Sequence, residues 1–238
     1  MSELIILISM LDKQKNYELE GRIIMLERLA CANNRNDEVL NVQLAHELCN
    51  SEDKEGINEI VSGLRNKNKK IANDCIKVLY EIGDMRPDLI ADYADDFIHH
   101  LHSSNNRLVW GAMTALAMIV DIKHNDIYKN IDAVIYAFQH GSVITVDNGV
   151  SVLAKLCIIN EHYREQIFPF LMGHLRMCRL KEVAQHAERI SVCIDENNVR
   201  QFFDVLDGRI EYLTKAQKIR IARLKKKLNK IFLEPYIR

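Results

Sequence analysis

Proline and glycine are scarce in this sequence. Its 238 residues include 3 prolines (Pro87, Pro169 and Pro235) and 9 glycines, where average usage would give about 12 and about 17. The 81 residues between Pro87 and Pro169 contain no proline at all. Sheet proteins draw on both residues for their turns, and disordered chains are rich in proline and poor in apolar side chains. With 48% hydrophobic residues, this chain is neither. The expectation is an ordered, helical chain, large enough to bury a sizeable core.

Other absences narrow the function. Basic and acidic residues nearly balance, 32 against 33. The uncharged runs at 108–120 and 4–11 have 13 and 8 residues, short of the roughly 18 to 20 that span a bilayer. Glu3 precedes the second run where a secretory signal would carry basic residues. The six cysteines (Cys31, Cys49, Cys75, Cys157, Cys178 and Cys193) form no CxxC pair, and several sit among apolar neighbours, as small hydrophobes do. The cytoplasm is the expected location. No phosphate loop, GxGxxG, HExxH or GxSxG motif occurs, so neither an enzyme nor a cofactor is expected. Asp147, Asn148 and Gly149 lack the further acidic ligands of a calcium loop.

What the chain does contain is a repeat. At a lag of 37 residues, Ile57, Ala94, Ile131, Phe168 and Val205 align, as do Ile60, Phe97, Val134 and Leu171. Val61, Ile98, Ile135 and Met172 form a third column, and Leu64, Leu101, Phe138 and Leu175 a fourth. Within each repeat these positions fall at i, i+3, i+4 and i+7, the stripe of one helix face. This is helix A. A second helix, B, aligns Leu79, Leu116, Leu153 and Ile190, then Ile82, Ile119, Leu156 and Cys193. Cys75, Ala112 and Gly149 form a small column that would let A and B approach closely. Polar punctuation at 66–68, 103–106, 125–126, 160, 195–198 and 214 supplies capping side chains between helices.

Residues 142–153 (SVITVDNGVSVL) instead suggest a β-hairpin around Asn148-Gly149. A lone hairpin would have no sheet to join, and the repeat places Gly149 in helix B, so a helix is predicted. Going backward, Ile60 and Val61 map to Ile23 and Ile24, but Leu64 maps to Glu27, as in an atypical terminal repeat. The reading is one domain over 1–238: a divergent cap at 1–50, regular repeats at 55–196 and a basic cap at 198–238. It comprises a lone helix near 2–11 followed by six helix pairs.

Paired helices at this period, and the segment KKIANDCIKVLYEIGD at 69–84, resemble HEAT/armadillo repeats across about 57–193. The ankyrin and tetratricopeptide signatures are absent. The resemblance implies an all-α, right-handed superhelical solenoid with B helices lining its concave surface.

Three groups of residues are candidates for function. Asp95, His99 and His102 share a helix face, with His100 beside them. Such a set could bind zinc or nickel, but the solvated outer face of helix A explains it better, and no metal site is predicted. Met113 and Met118 are expected in the B-helix packing layer. Residues 213–238 carry 9 basic and 1 acidic side chain, net +8, which leaves −9 for the rest. Lys215, Lys218, Arg220, Arg223, Lys225, Lys226, Lys227 and Lys230 form this basic patch. Ile221, Leu224, Leu228 and Ile231 are its docking stripe. The patch would attract nucleic acid or another anionic partner, or simply cap the solenoid.

The third group faces away from helix A. Asn73, Trp110, Asp147 and Ala184 form one B-helix column, and Lys77, Thr114, Ser151 and Glu188 the next. Lys70 and Arg107 lie one turn earlier. Mostly polar, these columns are expected to face solvent. Lys70, Asn73, Lys77, Arg107, Trp110 and Thr114 are the predicted partner site, where an extended acidic segment or anionic ligand would dock across the lone tryptophan. Packing of Trp110 on a neighbouring helix competes evenly with that role. The favoured function is a non-enzymatic scaffold binding a protein segment. The alternative is a nucleic-acid-binding protein using the basic helix, distantly like the HEAT-like-repeat DNA glycosylases, although their aromatic, Arg and Asp cluster has no counterpart here.

Overall fold

A computed structural model of the protein describes residues 24–233, so the helix predicted near 2–11 lies outside the described residues. Of the apolar columns, those of Ile60, Leu64, Leu79 and Ile82 are buried at every repeat. Only Ile131 and Ile135 of the remaining two fall short, at half-buried.

Eleven α-helices form among the described residues, and no strand. We number them α1 (Val39–Ser51), α2 (Lys54–Gly63), α3 (Lys69–Met85), α4 (Ala94–His100), α5 (Asn106–Lys129) and α6 (Ile131–His140). Then follow α7 (Val143–Ile159), α8 (Glu161–Met177), α9 (Val183–Ile190), α10 (Val199–Ile210) and α11 (Lys215–Phe232). From α2 onward they alternate A and B, giving five pairs, and α1 stands as the B helix of the preceding unit. The expected sixth A helix is missing from the described residues. Its place holds 3-10 turns at Met25–Arg28 and Cys31–Asn33, where Glu27 occupies the register of Leu64 and cannot extend the apolar stripe.

Caps fall largely where the punctuation is. Asn68, Asn105 and Asn160 accept hydrogen bonds from the first-turn amides of α3, α5 and α8. Thr214 forms a capping box with Gln217 at the start of α11. The pair at 125–126 is an exception, for it lies within α5. That helix bends instead at Lys123, whose φ of −116° and ψ of 31° interrupt the helical geometry.

The ambiguous segment at 142–153 is helical, capped by Ser142, whose Oγ accepts from Thr145 N–H. Gly149 shows why the small column matters. A Cβ there would meet the ring of Phe138 on α6 at 2.7 Å. Gly111 plays the same part between neighbouring B helices, since its Cβ would meet Ile76 of α3 at 2.5 Å.

The B helices pack directly on one another in the series α1, α3, α5, α7, α9 and α11. Direct contact between successive A helices is sparse, with α8 on α10 the exception. One hydrophobic core runs through the stack from Leu29 to Leu228.

Candidate functional site

The B layer presents the predicted partner residues on adjacent helices. On α3, Asn73, Lys77 and Tyr80 share a face by helical spacing, and Arg107, Trp110 and Thr114 do so on α5. Trp110 is half-buried. Its ring lies 5.6 Å from that of Tyr80, tilted by 44°. The Arg107 guanidinium stands 5.0 Å over the indole, and the Lys77 ammonium 4.9 Å over Tyr80. The tryptophan therefore packs on a neighbouring B helix while keeping part of its surface in solvent.

The two central cations are already engaged. Lys77 Nζ bonds Glu81 at 2.5 Å and Glu38 at 3.0 Å, and Arg107 bonds the other oxygen of Glu38. Burial opposes charge on Lys77, but the bonds to Glu81 and Glu38 outweigh it and hold its pKa above the usual lysine value. Burial likewise opposes the charge on Glu38, and the bonds from Arg107 and Lys77 win, lowering its pKa. Lys77 is only 9% exposed, which corrects its expected place in solvent. Glu38, Tyr80 and Glu81 had not been singled out in the sequence, although the i+3 and i+4 spacing of Tyr80 and Glu81 from Lys77 was a usable signal. Lys70 is exposed.

The polar columns are partly consumed by bonds between repeats. Asn105 Nδ2 donates to Asn73 Oδ1 at 2.8 Å, and Asn148 Nδ2 to Thr114 Oγ1 at 2.8 Å. Arg189 donates to Ser151 Oγ at 2.5 Å. Arg220 reaches Glu188 twice, at 2.9 and 2.5 Å. Asp147 accepts from Gln185 at 2.9 Å and bonds His186 at 2.7 Å. Ala184 is fully buried. These columns thus form a ladder rather than a uniformly solvated surface.

A groove of about 750 Å³ opens further along, lined by Phe138, Val146, Phe170, His174, Met177 and Glu182 among others. His174 meets Phe138 edge-on at 4.7 Å. Its Nε2 lies 2.9 Å from Nδ1 of the fully buried His186. Burial, followed by the neighbouring His186, pushes the pKa of His174 down to about 4. Burial pushes the Cys178 thiol up to about 11. Among the described residues, the group able to converge on a metal ion is His174, Cys178 and His186. Asp95, His99 and His102 are not brought together in that way: His99 packs edge-on against His100, and the ring of His102 lies tilted against Tyr136. Met113 is buried and Met118 half-buried, in the packing layer as expected.

On α11, Ile221, Leu224 and Leu228 dock as the stripe predicts, whereas Ile231 is 48% exposed because the stripe runs out with the preceding helices. The cations divide into two sets. Arg220 pairs with Glu188, Lys225 with both oxygens of Asp207, and Lys218 with the carbonyl of Glu211. Lys215, Arg223, Lys226, Lys227 and Lys230 have no ion-pair partner among the described residues. At 3.6 residues per turn these five occupy an arc of about 120° opposite the buried stripe, along about 22 Å of helix.

The stack of A and B helices defines an armadillo-like α-helical repeat protein. No protein-family model matches the sequence, and no curated protein matches it. Solved structures do match. Computationally designed armadillo repeat proteins for modular peptide recognition align over 86% of this chain and 98% of theirs, with a TM-score of 0.56 and 11% identity. An engineered protein from the Northeast Structural Genomics Consortium aligns over 87% and 96%, with a TM-score of 0.56 and 14% identity. Another from the same source aligns over 86% and 98%, with a TM-score of 0.55 and 17% identity. At such identities the likeness is one of fold. No helix among the described residues is long and apolar enough to cross a membrane.

Proposed function

We propose that the protein is a non-enzymatic scaffold whose B-helix layer binds an extended protein segment across Tyr80 and Trp110. The half-buried aromatic pair, with Lys77 over Tyr80 and Arg107 over Trp110, carries this reading. Rigid aromatics that keep one face in solvent make good anchors. Closer packing in the B layer than in the A layer supports a curve with the B helices on its inside, the surface solenoids use for extended ligands. The designed peptide-recognising proteins of the same fold support this use. Asn73 spends its amide oxygen on Asn105 and Asn148 its nitrogen on Thr114 and Ile144. The remaining halves of those two amides suit a peptide backbone.

Because Glu38 and Glu81 neutralise the central cations, the segment offers Trp110 an apolar or aromatic side chain. An acidic segment would have to displace Glu38. Six free thiols, five of them buried, suit a reducing compartment such as the cytoplasm. The test is selection of peptides from a random library on the full chain, followed by titration. Selected peptides should alter the fluorescence of the single tryptophan and lose about 30-fold or more in affinity on Trp110→Ala, the range of an anchor residue. Peptides that bind without either effect would place the site elsewhere.

A second reading has its own observation, the five cations on one face of α11 that have no ion-pair partner among the described residues. They would bind nucleic acid through its phosphates, without regard to sequence.

A further inference from the structure

The groove beside α8 holds donor atoms that peptide binding at Trp110 does not use. His174 lies in the last turn of α8, Cys178 one turn further on, and His186 on α9. One ligand atom from each lies within 4.8 Å of the others. We propose that His174, Cys178 and His186 form a binding site for a thiophilic first-row divalent cation, Zn²⁺ foremost, with its fourth position open to the groove.

The distances are close to what the ion needs. Zinc bonds of about 2.0–2.1 Å to nitrogen and about 2.3 Å to sulfur set ligand atoms of a tetrahedral site roughly 3.3 to 3.6 Å apart. His174 Nε2 and His186 Nδ1 already stand 2.9 Å apart. A small rotation of His174, the half-buried member on the groove wall, opens the pair to that separation.

The surroundings fix the ligands from outside. His186 Nε2 bonds Asp147 Oδ1 at 2.7 Å, and Gln185 donates to Asp147 Oδ2 at 2.9 Å. That carboxylate holds the ring proton on Nε2 and aims the Nδ1 lone pair at the site, as carboxylates do behind metal-bound histidines. Asp147 is on α7, so the support comes from the neighbouring repeat. The turn that carries Cys178 is clamped by Arg209, which donates to the carbonyls of Leu175 and Cys178 at 3.1 and 2.6 Å. Two imidazoles and a thiolate select zinc, cobalt or copper over magnesium or calcium.

Binding balances simply. The Cys178 thiol releases its proton to solvent, and the thiolate, His174 Nε2 and His186 Nδ1 donate electron pairs to the ion. His174 stays neutral by carrying its ring proton on Nδ1. A water from the groove completes the tetrahedron, and one proton is released per ion.

The test uses the full chain, stripped with a chelator and titrated with Co²⁺ as a coloured substitute, then with Zn²⁺ in competition. One equivalent of Co²⁺ should produce visible bands of a tetrahedral ion and a near-ultraviolet thiolate-to-cobalt band, both bleached by Zn²⁺. Cys178→Ser should lose the thiolate band, and His174→Gln should lose tight binding. Asp147→Asn should weaken binding about 10- to 100-fold, with the helical spectrum retained in each variant. Zn²⁺ should also raise the thermal midpoint of the unaltered protein but not of Cys178→Ser. Absence of a tetrahedral cobalt spectrum would overturn the site. So would a spectrum unchanged by Cys178→Ser, which would point to the adjacent thiols of Cys157 and Cys193. The histidines would then be a hydrogen-bonded pair in the core and nothing more.

Discussion

The carboxylate of Glu38 binds the guanidinium of Arg107 across 69 positions of sequence. It starts from the N-terminus of α1, passes over Lys77 of α3 and ends on the first turn of α5. One side chain thus ties three successive B helices together. It also sets the electrostatics of the aromatic pair, because among the described residues removing it would leave Lys77 with Glu81 alone and Arg107 without an acid.

Glu38→Gln should destabilise the protein by about 1 kcal/mol at neutral pH, the scale of a partly exposed ion-pair network. The pH dependence follows from the lowered pKa of Glu38. Its contribution is fully present above the ordinary glutamate value and is lost as pH falls through the lower folded value. Thermal midpoints of the two proteins should therefore differ at pH 7 and converge in acid. A difference that persists unchanged at pH 2 would assign the effect to packing.

Trp110→Ala should cost about 2 kcal/mol, below the 3 to 5 typical of a fully buried aromatic, because the indole is only half-buried. Trp110→Phe should retain most of that stability. Urea unfolding measures both. Acrylamide should quench the tryptophan of the free protein partially, between the limits of a core and a surface residue.

Gly149→Ala sets helix propensity against packing. Alanine gains roughly 1 kcal/mol over glycine within a helix, but its Cβ would meet the buried Phe138 ring at 2.7 Å, and overpacking costs about 1–3 kcal/mol. The expected net effect is destabilisation. Gly208→Ala on α10, with nothing within 4 Å of the added carbon, should instead stabilise by about 0.4–1 kcal/mol. Two melting curves of opposite displacement would confirm the contrast.

The basic helix separates by partnership. Lys226→Gln, Lys227→Gln and Lys230→Gln together should leave the fold intact. They should weaken any binding of unrelated duplexes equally and flatten the salt slope by about 2.7, at roughly 0.9 per phosphate contact. Arg220→Ala and Lys225→Ala should affect thermal stability first, since Glu188 and Asp207 hold those side chains. Binding that survives the triple change at low salt would remove α11 from consideration as a nucleic-acid surface.

Helix existence was legible because burial repeats in register, and Phe97, Val134 and Leu171 answer the same geometric demand. The same register resolved 142–153, where local β propensity points the other way. The site was less legible. A lag of 37 aligns residues that occupy equivalent places, whereas the residues that touch are displaced from that lag by two to five positions. Thr114 meets Asn148 at a separation of 34, Asp147 meets His186 at 39 and Glu188 meets Arg220 at 32. Of the two acids that hold Lys77, Glu81 was within reach of helical spacing, but Glu38 lies in the divergent first unit where the repeat gives no guide.

The unequal packing of the two layers has a mechanical consequence. Helices joined closely along one edge and loosely along the other behave like pages bound at a spine. Fanning the free edge parts few direct contacts between A helices except where α8 meets α10, so a small angle at each of the other steps would accumulate along the stack. The cross-ties along the bound edge, from Glu38 at one end to Arg220 at the other, resist slippage between pages while leaving that motion free. A long guest lying along the spine would thereby set the pitch of the whole stack.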